Sequence, residues 1–397
     1  MHSLSQDHTG SRIARLRRER HLTQKQLCEL ADISYSTLTK TEQGVIPASP
    51  YLVGKVAQAL RVDVSTINGQ PYQDSLRADE LDVLIRPIRE ALDVYDLGPD
   101  PEIRPRRQEE LHAEAEGLCA AVRAGKIKKA AGAVAGLIEE ATTAAHSART
   151  REGWLTLASL YRTSYDVAAK LGYADLAQLS LARLDWAAQR ASSAVLGGMF
   201  HYLRALTYLR EGKFRTGQRL VDMGLSTLAQ AEETRERGIV TGQLHLGAAV
   251  MAGRAKNAAR ATEHLDEAER IAAETGESVT VHWLAFGPTN VKVHRVSVLA
   301  ELDQYGRAVK EANRTHIPAD WPNSRTSHHH AEVARAQLWT GRLDDAFASL
   351  LMARKAAPQQ AKYHPTVRDT YAGLEAAHRR LPDTFLSYGS WLGPAPK

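Results

Sequence analysis

Cysteine is nearly missing from this chain: Cys28 and Cys119 are the only two in 397 residues. That scarcity excludes a disulfide framework and four-cysteine zinc sites, and it suits a reducing, cytoplasmic compartment. Long apolar runs are missing too. No stretch approaches the ~18 uninterrupted apolar residues that cross a bilayer, and the opening MHSLSQDHTGSR has no basic run leading into an apolar one. Neither a membrane nor a secreted protein is expected. Catalytic signatures are also lacking, since no Ser/His/Asp arrangement, phosphate-cradling glycine loop, HExxH spacing or paired-carboxylate pattern occurs. His328-His329-His330 invites a metal, but adjacent helical residues point about 100° apart and cannot meet at one ion. The expectation is a chain with no enzymatic activity, cofactor or metal.

What is present describes a globular chain of two or three domains, with 43% hydrophobic and 24% charged residues. A net charge of +5 is compatible with a nucleic-acid partner, but its distribution matters more than its size. Alternating strand patterns are absent, while Ala and Leu recur at helical spacing between Gly and Pro breaks, so the fold class is all-α. A compact unit occupies residues 9–72. A linker over 73–107 carries an amphipathic helix interrupted at Pro87, then GPDPEIRPRRQ, whose prolines predict a hinge from Pro99 to Pro105. Paired helices fill 108–385, and 386–397 reads as a tail.

The most specific pattern lies in the first unit. Ser11 to Arg20 reads as a basic first helix, with Ile13 and Leu16 on an apolar stripe. Thr23 is placed to cap a second helix from Gln24 to Leu30, and Ala31-Asp32-Ile33 makes a tight turn. Ser34 is placed to cap a third helix from Tyr35 to Glu42, which Gly44 ends. Two short helices joined this way form a helix-turn-helix, whose second member enters the DNA major groove. Leu22-Thr23-Gln24, Ile33-Ser34 and Glu42-Gln43-Gly44 resemble the Xre/Cro-type helix-turn-helix family, and LVGKVAQALRVDVSTI resembles its fourth and fifth helices. The departures are Cys28, Thr41 and an extra residue between Pro47 and Pro50. On the third helix, Tyr35, Ser36 and Thr39 are the candidate base readers, whereas Arg12, Arg17, Gln24 and Lys40 are candidates for phosphates.

Beyond residue 108 a repeat emerges. Gly341, Leu343, Ala346, Leu350 and Ala353 set the pattern; Gly212, Gly172, Gly125 and Asp303 begin further copies, and a copy anchored at Gly253 needs an insertion before Ala261. This resembles the tetratricopeptide repeat, although the period runs nearer 40 to 50 than the usual ~34 residues. With Phe286-Gly287-Pro288-Thr289-Asn290-Val291 and His364-Pro365-Thr366-Val367-Arg368, the whole chain is similar to actinobacterial regulators that join an Xre-type domain to such an array. The resemblance implies transcriptional control of a double-stranded DNA operator; a homodimer is expected because one small helix-turn-helix gives limited affinity, and the array is expected to sense a peptide, small molecule or protein. A concave face lined by the first helix of each pair would present Arg162, Asp166, Tyr202, Gln243, Asn290, Arg335 and Trp339. The rival reading is an interaction scaffold whose helix-turn-helix module does not read DNA.

Overall fold

The computed structural model describes residues 8–377 and 382–393, and among them helices are joined by turns with no strand. Five helices build the N-terminal domain: α1 (Thr9–Glu19), α2 (Gln24–Ala31), α3 (Tyr35–Glu42), α4 (Pro50–Leu60) and α5 (Val64–Asn68). Ile13, Leu27, Leu38, Leu52, Val56, Leu60 and Ile67 form its core. Thr23 caps α2 as expected, and Gln26 completes a capping box by returning its side chain to the Thr23 amide. Ser34 precedes α3 but makes no side-chain cap bond. Glycine is required at position 10, because a Cβ there would lie 1.8 Å from the Thr41 carbonyl oxygen. The start of α1 therefore rests directly on the backbone at the end of α3.

The stretch expected as a linker is part of the main core. Helices α6 (Gln73–Ala78) and α7 (Ile85–Asp93) bury Leu76, Ile85, Ile88 and Leu92 in the cluster that runs through the array. Pro87 sits in the first turn of α7, where its missing N–H leaves nothing unpaired. No hinge follows: the Asp100 amide donates to Thr143 Oγ1 at 3.2 Å, and Arg106 grips both oxygens of Glu140 at 2.9 and 2.6 Å. The proline-rich segment is strapped along the array.

The array stacks antiparallel pairs: α8 (Gln108–Arg123) with α9 (Ile127–Ala148), α10 (Arg151–Leu171) with α11 (Ala174–Arg190), and α12 (Ala194–Arg210) with α13 (Phe214–Ala229). There follow α14 (Arg235–Arg254) with α15 (Ala258–Thr275), α16 (Pro288–Glu301) with α17 (Tyr305–Arg314), and α18 (Asn323–Trp339) with α19 (Leu343–Ala356). Residues Gly125, Gly172, Gly212, Lys256, Asp303 and Gly341 turn the chain at positive φ. Five positions on, Ala130, Ala177, Gly217, Ala261, Ala308 and Ala346 are buried where the helices approach. The copy aligned on Gly253 thus turns at Lys256 and needs no insertion. Successive pairs build a helical solenoid.

The last helices, α20 (Pro358–Lys362), α21 (Pro365–Ala377) and α22 (Asp383–Leu392), bring the solenoid back to its beginning. Gln359 Oε1 accepts from the Lys128 amide at 2.9 Å, Lys362 pairs with Asp79 at 2.8 Å, and Trp283 Nε1 donates to Glu116 Oε2 at 2.8 Å. Residues 386–392, expected in a tail, belong to α22: Tyr388 and Leu392 are buried, and the Leu392 carbonyl accepts from Arg368. Residues 394–397 lie outside the described residues.

Candidate nucleic-acid interface

The N-terminal domain presents α3 outward. Tyr35 is 49% exposed, Ser36 and Lys40 are exposed, and Thr39 is half-buried, while Leu38 and Thr41 face the core. Tyr35, Ser36, Thr39 and Lys40 therefore share one solvent face, with the spacing that one side of a helix requires. Two residues join them that the sequence reading passed over. Gln43 is exposed at the end of the same face, and Lys25 is exposed in the first turn of α2. The signal for Gln43 was its position eight residues beyond Tyr35, a little over two helical turns.

Three of the four expected phosphate contacts prove to be internal. Arg12 is 6% exposed and donates to the Ile67 carbonyl at 2.8 Å and to the Asn68 carbonyl at 3.2 Å, tying α1 to α5. Arg17 lies between helices, with Nε and Nη2 on the two Glu42 oxygens at 2.7 and 2.8 Å and Nη1 on the Leu22 carbonyl at 2.8 Å. The Glu42 hydrogen bond, offset in part by burial, raises the guanidinium pKa above its ordinary value. Gln24 donates to Glu42 at 2.8 Å and accepts from Thr39 at 3.4 Å. Arg17, Glu42, Gln24 and Thr39 thus form one network that fixes α3 against α1 and α2. Lys40 alone of the four keeps a free path to a phosphate.

This domain is seated on the solenoid. A Cβ on Gly54 would stand 3.0 Å from Gly212 Cα, Gln58 Nε2 donates to the Gly212 carbonyl at 2.8 Å, and Thr9 Oγ1 donates to Asp369 at 2.6 Å. Helix α4 therefore docks on the α12–α13 turn and α1 docks on α21, leaving α3 outside both contacts.

Inside the solenoid the expected ligand residues divide into three groups. Tyr202, Gln243 and Asn290 come together: Gln243 donates to Tyr202 at 2.7 Å and accepts from Asn290 at 3.3 Å. Asn290 also donates to the Ala285 carbonyl, and its oxygen accepts from Arg325 at 2.8 Å. Fully buried, Asn290 offers no free amide to a peptide. Arg325 completes this row and was not singled out in the sequence. Arg162 and Asp166 form a second group with Arg123, which pairs with Asp166. Arg335 instead joins Glu301 and Glu332 at 3.2 and 2.5 Å in a packed ion network, and Trp339 stacks on Tyr305 at 5.1 Å. These last two hold helices together. The histidine triplet diverges as its helical spacing requires: His328 meets His364 at 3.2 Å, while His329 is buried beside His330.

No curated protein matches the chain. A family model described as helix-turn-helix, of the Xre/Cro type, matches residues 13–67, from the core residue Ile13 of α1 to the core residue Ile67 of α5. The chain carries a helix-turn-helix domain on a helical solenoid, the coarse plan of a DNA-binding regulator.

Proposed function

We propose that the protein is a cytoplasmic, sequence-specific transcriptional regulator and not an enzyme, and that it binds its operator as a homodimer. The observation that carries this reading is the outward face of α3, with its opposite side held by the Arg17–Glu42–Gln24 network. Tyr35, Ser36 and Thr39 read base edges through hydroxyls and an aromatic ring, and Lys40 and Lys25 meet phosphates. Two-fold pairing doubles these contacts on a palindrome. The solenoid senses an effector, which is a peptide, a small molecule or a protein partner. Because the DNA-binding domain rests on the α12–α13 turn and on α21, a change in solenoid shape moves the reading head through packed contacts, without a flexible hinge.

The test is capture of fragmented genomic DNA by the purified full chain at about 150 mM salt, where non-specific phosphate attraction is substantially screened. The expected result is an enriched palindrome with half-sites about one helical turn apart. Tyr35→Ala and Ser36→Ala should each cost about 1–3 kcal/mol on that site. Lys40→Ala should weaken all sequences alike and reduce the salt slope by about one. Retention without sequence preference would overturn the reading.

A further inference from the structure

Among the first helices of the pairs, Glu301 on α16 and Glu332 on α18 are taken up by Arg254 and Arg335, whereas a second group is cationic. Arg123 comes from α8, Arg162 and Lys170 from α10, Arg210 from α12 and Arg325 from α18. One carboxylate pairs with this group among the described residues, Asp166, which Arg123 and Arg162 share. The other three cations have neutral partners: Lys170 donates to Gln360 at 2.7 Å, Arg210 to the Tyr165 hydroxyl at 3.2 Å, and Arg325 to Asn290 at 2.8 Å. The neighbouring Glu116 is occupied by the Trp283 indole and Ser159.

Such a surplus is costly, because a buried charge needs compensation. Its effect is visible at Lys170, where burial, opposed by Asp166 but reinforced by Arg123, Arg210 and Arg325, brings the ammonium down to about 7. Donors are also left over. The Nε groups of Arg123 and Arg325 are buried without a hydrogen-bond acceptor, and Arg162, only 3% exposed, reaches Asp166 with its Nε at 3.9 Å, beyond hydrogen-bond distance. The cluster is not sealed: Arg123, Lys170 and Arg325 are only half-buried and Arg210 is exposed.

The lumen has walls and a strap. The segment between α15 and α16 crosses it, with the Trp283 carbonyl accepting from Arg162 at 3.3 Å and the Trp283 indole reaching Glu116. His282 and Trp283 both hold positive φ, 44° and 52°, a conformation that side chains other than glycine adopt at a cost. On the far side α20 closes the gap between the last pairs and α9. Enclosure of this kind suits a small molecule, while duplex DNA is met outside by α3.

We propose that the lumen is a binding site for a small, multiply charged anion bearing phosphate or carboxylate groups, held by Arg123, Arg162, Lys170, Arg210 and Arg325. Guanidinium forks match both groups bidentately, and the Tyr202–Gln243–Asn290 row supplies a neutral polar wall. As the effector site of the regulator this rests on the sensor reading above, but the binding itself does not.

The experiment is calorimetric titration of the full-length protein with pyrophosphate in one arm and citrate in the other, at fixed ionic strength. Saturable binding of one anion per chain with a Kd below about 1 mM is expected, and the stronger arm identifies the preferred group. Arg210→Gln and Arg325→Gln should each weaken it at least tenfold, with unchanged circular dichroism and melting cooperativity. Arg18→Gln, on the exposed face of α1, should leave it unchanged. Absence of saturable binding in both arms, or binding indifferent to Arg210→Gln and Arg325→Gln, would overturn the site. Operator affinity measured with and without the bound anion separates the two claims: binding that leaves operator affinity unchanged sinks the sensor role and keeps the site.

Discussion

Arg17 illustrates how far a single side chain can depart from what its composition suggests. An arginine on a basic first helix of a DNA-binding domain reads as a phosphate contact, yet its guanidinium is spent on Glu42 and the Leu22 carbonyl. Glu42 is left with a buried charge if Arg17 is removed, and a broken buried pair costs about 3–5 kcal/mol. Arg17→Ala should therefore lower the unfolding free energy by about 3 kcal/mol in urea titration, and the slope of log affinity against log salt should stay as it was. A slope reduced by about one with stability intact would return Arg17 to the phosphate backbone. The sequence could not separate Arg12 and Arg17 from Arg15, Arg18 and Arg20, because four of them sit on one short helix and Arg20 caps its end, and only the rotation of that helix against α3 and α5 decides which are covered. Exposure on α3 was legible for the opposite reason: Leu38 and Thr41 face the core, and Tyr35, Ser36, Thr39 and Lys40 follow from helical spacing.

Among the elements, turns were easier to find than contacts between distant parts. Glycine after a helix announces positive φ, and Gly125, Gly172, Gly212 and Gly341 all adopt it. Lys256 and Asp303 adopt it without being glycine; Asp303 was found by its surroundings, and Lys256 was displaced by the nearby Gly253. The hinge expected from Pro99 to Pro105 was not legible as a strap, because its partners Glu140 and Thr143 sit on a helix that the prolines say nothing about. The seat of the DNA-binding domain was equally invisible, since Gly54 and Gly212 touch across a separation that no local pattern encodes. Gly54 gives a direct test. Alanine in the middle of α4 should favour the helix by about 1 kcal/mol, but its Cβ would meet Gly212 Cα at 3.0 Å. Gly54→Ala should thus destabilise the full chain by about 1–2 kcal/mol, as overpacking does, and accelerate hydrogen exchange at the α12–α13 turn. A higher melting temperature with unchanged exchange would show that the domain does not rest there.

The whole molecule carries a set of histidines that its fold keeps neutral. Burial lowers His294 to about 3 and His329 to about 4, with Arg325 adding to the effect on both, and burial also lowers His245 and His364 to about 4. His328 is pushed well below the ordinary value for the same reason. In the unfolded chain each would titrate near 6.5, so on acidification the unfolded state takes up protons that the folded state refuses. Their contribution is present above about pH 6.5 and is lost as the pH falls toward 4 and then 3. His294 and His329, less than a tenth exposed, should together cost about 2–3 kcal/mol at pH 5.5. Glu301 continues the loss at lower pH: burial pushes its carboxyl up, but Arg254 and Arg335 more than offset this and hold it at about 2. Below the ordinary carboxylate range the unfolded Glu301 is protonated while the folded one is not, and stability falls again. Urea midpoints measured at pH 7.5, 6.5, 5.5 and 4.5 should therefore decline from the second point onward. His294→Gln with His329→Gln should flatten the first part of that decline, whereas a midpoint constant down to pH 5 would mean that these imidazoles are charged in the fold. Because His294, His328 and His364 stand among Lys170, Arg210 and Arg325, any proton they accept adds to a lumen already rich in positive charge. Acid should open the solenoid from this side, with exchange rising first in α16, α18 and α21, before the α1–α5 domain loses its own core.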